Sequence, residues 1–182
     1  MHKPKTVFVI WCLWALATGF LPAFAQEVAS SDGKLIAALP AGFAAQSRTE
    51  DPNIVLSAKS GTGEFYIARL NQDLGDNYLQ IRAEELLSGF AVKKIKTAGG
   101  VKTASINNGE AKLFYVTCLR GAGPSWQGFF TYKGESYSLV AAGLDEGGFL
   151  DTVFSIRSPG DALLRRPVPV RPVRVQTPRP AV

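Results

Sequence analysis

Between residues 101 and 142 the chain makes four consecutive runs of β-favouring sequence, and short turn-forming links join them. The runs are 101–106, 111–119, 126–132 and 136–142. The links are Asn107-Asn108-Gly109, the stretch 120–125, and Lys133-Gly134-Glu135. Links this short return each strand beside its predecessor, so the pattern predicts an antiparallel meander. The Asn-Gly step adds a strong signal for a tight hairpin turn. Within 111–119, Phe114, Val116 and Cys118 alternate with Lys112, Tyr115 and Thr117, which predicts a strand with one buried face.

The sequence before the meander supplies further strands and a helix. Residues 26–32 read as a small, polar lead-in. Residues 34–39 read as a short strand that stops at Pro40, and Ala41-Gly42-Phe43 begins a turn or a second short strand. Strands over 54–59 and 64–70 flank Ser60-Gly61-Thr62-Gly63 and form a hairpin. A helix is predicted over 78–96, because Leu79, Ala83, Leu86 and Phe90 recur at three- and four-residue steps, with Leu87 and Ile95 widening the stripe. Asp76 is placed to cap that helix, and its lysines gather near its negative end. A short helix over 145–156, rich in apolar side chains from Phe149 to Ile156, ends at Ser158-Pro159-Gly160. The expected fold class is α+β: an antiparallel sheet with a long helix and a short C-terminal helix packed on it, a helix–sheet–helix sandwich. The aromatics Phe65-Tyr66, Phe114-Tyr115, Trp126 and Phe129-Phe130 read as sheet core, with a ligand-cupping patch as the alternative.

The two ends of the chain differ from its middle. Residues 1–25 carry Lys3 and Lys5, an apolar run of about 14 residues from Val7, Pro22, and then Ala23-Phe24-Ala25. That order is the pattern of a signal peptide cleaved after Ala25. A membrane-spanning helix needs roughly 20 apolar residues, so a retained anchor fits less well. The expected location is periplasmic or secreted, with no transmembrane segment after processing. Residues 26–159 hold 13 basic and 14 acidic residues and form the expected single domain. Residues 160–182 hold Arg165, Arg166, Arg171, Arg174 and Arg179 against Asp161 alone. The positive charge therefore sits at the ends, and a nearly neutral body lacks the basic face a nucleic-acid partner needs.

Several chemistries lapse on residue inventory. The single histidine, His2, lies in the expected signal, so a Ser-His-Asp triad or Cys-His dyad cannot form in the processed chain. Cys118 is the one cysteine beyond residue 25; it reads as a buried small hydrophobe, with an intermolecular disulfide or a reactive thiol as alternatives. One cysteine and no histidine make a poor zinc set. The acidic pairs Glu50-Asp51, Glu84-Glu85 and Asp145-Glu146 read as solvated or capping residues. Gly61-Thr62-Gly63 and Gly121-Ala122-Gly123 are followed by β-type sequence rather than a helix, so they read as turns and not phosphate loops. No catalytic residue, metal ligand or cofactor is expected.

Two segments suit recognition. The stretch 120–125 joins Arg120 to glycines, Pro124 and an exposed-looking Trp126. The tail alternates proline, valine and arginine, which disfavours helix and central sheet and favours extended polyproline II with arginines projecting around a rod. Such a tail is either a solubilising end or an arm that attaches to an anionic envelope surface or a partner groove.

The segment Lys34-Leu35-Ile36-Ala37-Ala38-Leu39-Pro40-Ala41-Gly42-Phe43 resembles the strand and leucine-proline-x-glycine-aromatic opening of the PsbP-like/Mog1 superfamily, which includes small exported bacterial proteins of the DcrB type. The resemblance runs through the central helix, the meander and the final helix, over about residues 33–158. It implies a helix–sheet–helix sandwich used as a docking or accessory module, and it carries over no functional residue. The leading expectation is a non-enzymatic accessory module of the envelope that meets an envelope protein or an anionic envelope surface. The alternatives are a carrier for a small apolar ligand and, further off, a hydrolase.

Overall fold

A computed structural model describes residues 26–46, 51–120 and 123–162, and for Asn108 and Arg120 the backbone alone. Strands β1 (Gln26–Ala29) and β2 (Ile36–Leu39) pair antiparallel as a small separate sheet. The large sheet contains β3 (Ala44–Ala45), β4 (Ile54–Lys59), β5 (Glu64–Arg69), β6 (Lys96–Thr97), β7 (Lys102–Ile106), β8 (Ala111–Arg120), β9 (Gly123–Tyr132) and β10 (Glu135–Ala142). Its order is β3-β4-β5-β10-β9-β8-β6, with β7 also on β8, and every pairing is antiparallel. Helix α1 spans Asp76–Val92 and helix α2 spans Glu146–Ser155. The molecule is α+β, as the meander and the helical spacing predict.

The sheet has two unlike faces. On the first, the β1–β2 hairpin and α2 close over Phe65, Ile67, Leu113, Tyr115, Trp126, Phe130, Tyr137 and Leu139, all buried. Trp126 stacks on Phe149 of α2 with ring centroids 4.6 Å apart and planes 6° from parallel, and Tyr115 meets the same Phe149 edge-on at 5.2 Å. On the second face, α1 seats Leu79, Ala83 and Phe90 against Phe114, Val116 and Cys118.

Several expectations change. Residues 26–29 are a strand, not a polar lead-in: they pair with β2 and turn Val28 into the core. Strand β8 is buried from Leu113 to Cys118 on both faces, because α1 covers one side and α2 with β1–β2 covers the other. Cys118 is buried and outside any disulfide. Helix α1 starts earlier and ends earlier than predicted. Gly75, not Asp76, is its N-cap, and Asp76 sits in the first turn, where its charge favours the helix N-terminus. Its last turn holds no basic residue. The lysines follow the helix instead. By contrast, Asp145 is a true N-cap of α2 and accepts from Gly148 N–H at 2.6 Å. The Asn-Gly step forms a 3₁₀ turn over Asn107–Gly109 rather than a two-residue hairpin link. Asn107 Nδ2 is drawn inward to donate to the Tyr132 hydroxyl at 2.9 Å. The two-residue link is Lys133-Gly134, whose φ of 51° and 81° match a type I′ turn.

Candidate functional site

The recognition residues expected from sequence do not assemble into a site. Trp126 is 1% exposed and belongs to the core, so its exposed reading is corrected. Strand β8 runs through Arg120 and pairs it with Gly123, so Arg120 and residues 123–125, expected as part of a loop, are strand. The Arg120 side chain, residues 121–122, and Arg165, Arg166, Arg171, Arg174 and Arg179 lie outside the described residues. The signal segment and its cleavage point lie outside them too.

A different surface emerges on the second face. The loop after β5 crosses the sheet end and is pinned there. Leu70 N–H donates to Ser136 O at 2.8 Å, Leu74 N–H donates to Ser136 Oγ at 2.7 Å, and the Thr131 hydroxyl donates to Leu74 O at 2.6 Å. This tether delivers α1 onto β9, β8 and β6. The same face of β10, β5 and β4 is left half-buried. Strand register lines up Ser57, Tyr66, Val140 and Gln127 as one row across it, and Ala68, Ser138 and Phe129 as the next.

A groove lies along the α1 wall at this open boundary. At its head a space of about 370 Å³ is lined by Leu70, Leu74, Arg82 and Phe129. A second space of about 310 Å³ continues it past Leu86, Phe90 and Lys93, again with Arg82 and Phe129. Phe129 forms the shared floor. Arg82 and Glu85 form a rim ion pair at 3.3 Å, both largely exposed, so it adds little to stability. On the outer side of α1, Tyr78 and Ile81 are also exposed.

The charged groups that are perturbed lie away from the groove, at the sheet end where the described chain finishes. Tyr132 donates to Asp161 Oδ2 at 2.8 Å and lies 3.1 Å from Glu110 Oε2. Burial, and then these two carboxylates, push its hydroxyl up to about 12. The Tyr132 hydrogen bond holds Asp161 below the usual carboxylate range, against a smaller opposing effect of desolvation. Lys34, Glu135, Arg69, Asp32 and Tyr137 form an adjoining network. Burial would raise Asp32, but bonds from the Ser30 hydroxyl, Lys34 N–H and Arg69 outweigh it and lower the carboxyl. These contacts tie Asp161 and Ser158 to the domain. Among the described residues, no cluster of three or more His, Cys, Asp or Glu is arranged to hold a metal ion, and no helix is long and apolar enough to cross a membrane.

Sequence reasoning missed the groove because it needs to know how far α1 reaches across the sheet. The available signal was Phe129-Phe130: adjacent strand residues point to opposite faces, so an aromatic pair marks a sheet with apolar surface on both sides.

Fold and groove together define a helix–sheet–helix α+β module with one closed and one half-open sheet face. No protein-family model matches the chain, and no curated protein does. Among solved structures it resembles cyanobacterial PsbP (CyanoP) from Synechocystis sp. PCC 6803, seen in solution. The two are 12% identical, with 77% of this chain and 95% of that one covered and a TM-score of 0.47. The chain thus has a PsbP-like structural resemblance over most of its length, and the likeness is one of fold alone.

Proposed function

We propose that this protein is a non-enzymatic accessory module, exported to the periplasm, that docks on an envelope protein through the α1 groove, with its arginine-rich tail adding attachment. One observation supports the reading above others: the half-buried sheet face that runs into an apolar groove floored by Phe129. Apolar surface left beside a polar rim is characteristic of protein contact sites. A photo-reactive residue in place of Phe129, activated in intact cells, tests it. The expected result is one discrete adduct that disappears when Leu86→Glu blocks the groove wall. A diffuse set of adducts, indifferent to Leu86→Glu, defeats the reading. If changing all five tail arginines to glutamine leaves the adduct yield and its salt response untouched, the tail drops out of the account.

The groove volumes also favour a second reading, a small apolar ligand held between helix and sheet, since they reach the lower range of ligand sites. Native mass spectrometry of freshly exported protein separates the two: a bound small molecule supports the carrier, and a clean apo mass removes it.

A further inference from the structure

The two edges of the large sheet are finished differently. At the β4 edge the backbone is closed. Strand β3 pairs with residues 58–59, Gln46 N–H donates to Ser57 O at 2.8 Å, and Ser31 N–H donates to Val55 O at 2.6 Å. At the other edge, β7 pairs with β8 alone among the described residues. Alternate residues of an antiparallel strand turn N–H and C=O away from the neighbour, so the outer side of β7 presents a row of donors and acceptors. Proline, a bulge or charge ordinarily blunts such an edge. Strand β7 reads Lys-Thr-Ala-Ser-Ile, and its five pairs with β8 run without a register shift. Its one charged residue, Lys102, is turned to Glu146 of α2 at 3.7 Å. Thr103 and Ser105 are exposed, and Ala104 and Leu150 are only partly buried at the rim of the closed core.

The described chain finishes at the Ile106 end of this open edge. Asp161 accepts from the Tyr132 hydroxyl at 2.8 Å, the same hydroxyl accepts from Asn107 Nδ2 at 2.9 Å, and Asn107 directly follows β7. A chain that leaves here towards Lys102 runs antiparallel to β7. Leu163-Leu164-Arg165-Arg166 offers four consecutive amides, close to the five-residue length of β7, before Pro167 and Pro169 interrupt the donors. We propose that residues 163–166 of this chain add to β7 as a further antiparallel strand. Two registers are within reach, with Ser105 opposite Leu164 or opposite Arg165. In each, one leucine falls beside Ile106 and one arginine beside Ala104, on the side that α2 covers. The charges agree. Glu110 and Asp161, at the Ile106 end, share one cation, Lys133, 3.7 Å from each, and Glu146 stands at the Lys102 end. A strand from another protein meets the same backbone, but it competes with a segment tethered beside the edge at an effective concentration on the order of millimolar. Arg171, Arg174 and Arg179 then leave the domain from a fixed point.

The proposal does not rest on the α1 groove, and it is tested on the chain from residue 26 to 182. Amide hydrogen exchange followed by NMR reads the outward amides of β7 one by one. They are expected to exchange about tenfold or more slowly than unpaired amides do. Proline substitution then reads the alternation, because only every second amide of an added strand points at β7. Leu163→Pro with Arg165→Pro removes one set, and Leu164→Pro with Arg166→Pro removes the other. One of these double variants should speed exchange of the outward β7 amides by about tenfold, and the other should leave it within about threefold. The β7 amides bonded to β8 should not change in either. Cysteine pairs locate the strand: Ser105→Cys with Leu164→Cys, or Ser105→Cys with Arg165→Cys, should close a disulfide within one chain on mild oxidation, since directly opposed residues lie within disulfide reach. Fast exchange of the outward amides in the unaltered chain, an equal response to the two proline pairs, no disulfide from either cysteine pair, or a disulfide that joins two chains overturns the proposal. The Phe129 adduct is expected to be the same in all these variants, so its loss bears on the groove and β7 exchange bears on the edge.

Discussion

Phe129 and Phe130 are neighbours on β9, yet they occupy different worlds. Phe130 is fully buried and stacks on Tyr137 at 5.1 Å beneath the β1–β2 hairpin and α2. Phe129 is half-buried at the floor of the groove, with α1 on one side and open sheet on the other. The strand alternation that separates them separates two faces, and on the proposed function two jobs. One face is closed by elements from both ends of the described chain and carries the stability. The other is closed only as far as the Leu74 tether lets α1 reach, and it leaves apolar surface half-open.

The comparison breaks first at Phe130. Phe130→Ala should cost about 3–5 kcal/mol, the ordinary loss for a large aromatic cut from a closed core. Urea unfolding followed by tryptophan fluorescence measures it. A loss near 1 kcal/mol would mean that the covered face is no tighter than the open one.

Gly128, one residue earlier, tests how closely the strands approach. A Cβ built there would meet Phe114 O at 2.4 Å and Tyr115 Cβ at 2.7 Å. Gly128→Ala should therefore destabilise by about 1–3 kcal/mol through overpacking, although it adds only a methyl group. Unchanged stability in the same urea assay would show that β8 and β9 part easily.

How much of this was legible in the chain depended on whether the signal was local. The spacing of Leu79, Ala83 and Phe90 names the buried face of α1 correctly, because helix periodicity is local. The four-run meander is legible for the same reason. Strand β1 is not, because Gln26 and Glu27 contribute backbone pairing and only Val28 contributes to the core. Trp126 cannot be placed from its neighbours, since its burial depends on Phe149 arriving from a later helix. The groove is least legible of all. It depends on where Ser136 and Thr131 stop the 70–74 loop, and hydrogen bonds between distant residues leave no periodic trace.

A smaller effect is expected at Tyr132, where the closed face ends. Its hydroxyl is pushed up to about 12 by burial and by hydrogen bonds to Asp161 and Glu110. A phenol whose folded value lies above its ordinary value of about 10 contributes fully below pH 10. That contribution is lost as pH rises from there towards 12. Asp161 behaves oppositely: its lowered carboxyl contributes above the usual carboxylate range and is lost as pH falls below it. Tyr132→Phe should cost about 1–2 kcal/mol at neutral pH, since it also leaves the buried Asn107 amide without its acceptor. It should make the alkaline fall in stability shallower. The fall will not vanish, because burial and Glu135 push Tyr137 in the same direction. An alkaline limb identical to the parent's would detach Tyr132 from the pH response.

The smallest stability effect is the most telling for the comparison. Phe129→Ala removes an aromatic that is already half in water and is flanked by Leu74 and the α1 wall. Its cost should be about 1 kcal/mol, well under that of its neighbour, because much of its surface was never taken from solvent. The same variant should reduce recovery of the proposed envelope partner by tenfold or more, on the order expected for an aromatic anchor at the centre of an interface. The two numbers have to be read together. A large stability loss with lost recovery would make Phe129 another core residue whose removal unfolds the surface around it. A small stability loss with unchanged recovery would leave the open face without a partner. Only the pairing of near-native stability with lost recovery fits a sheet that uses one face to hold itself together and the other to hold something else.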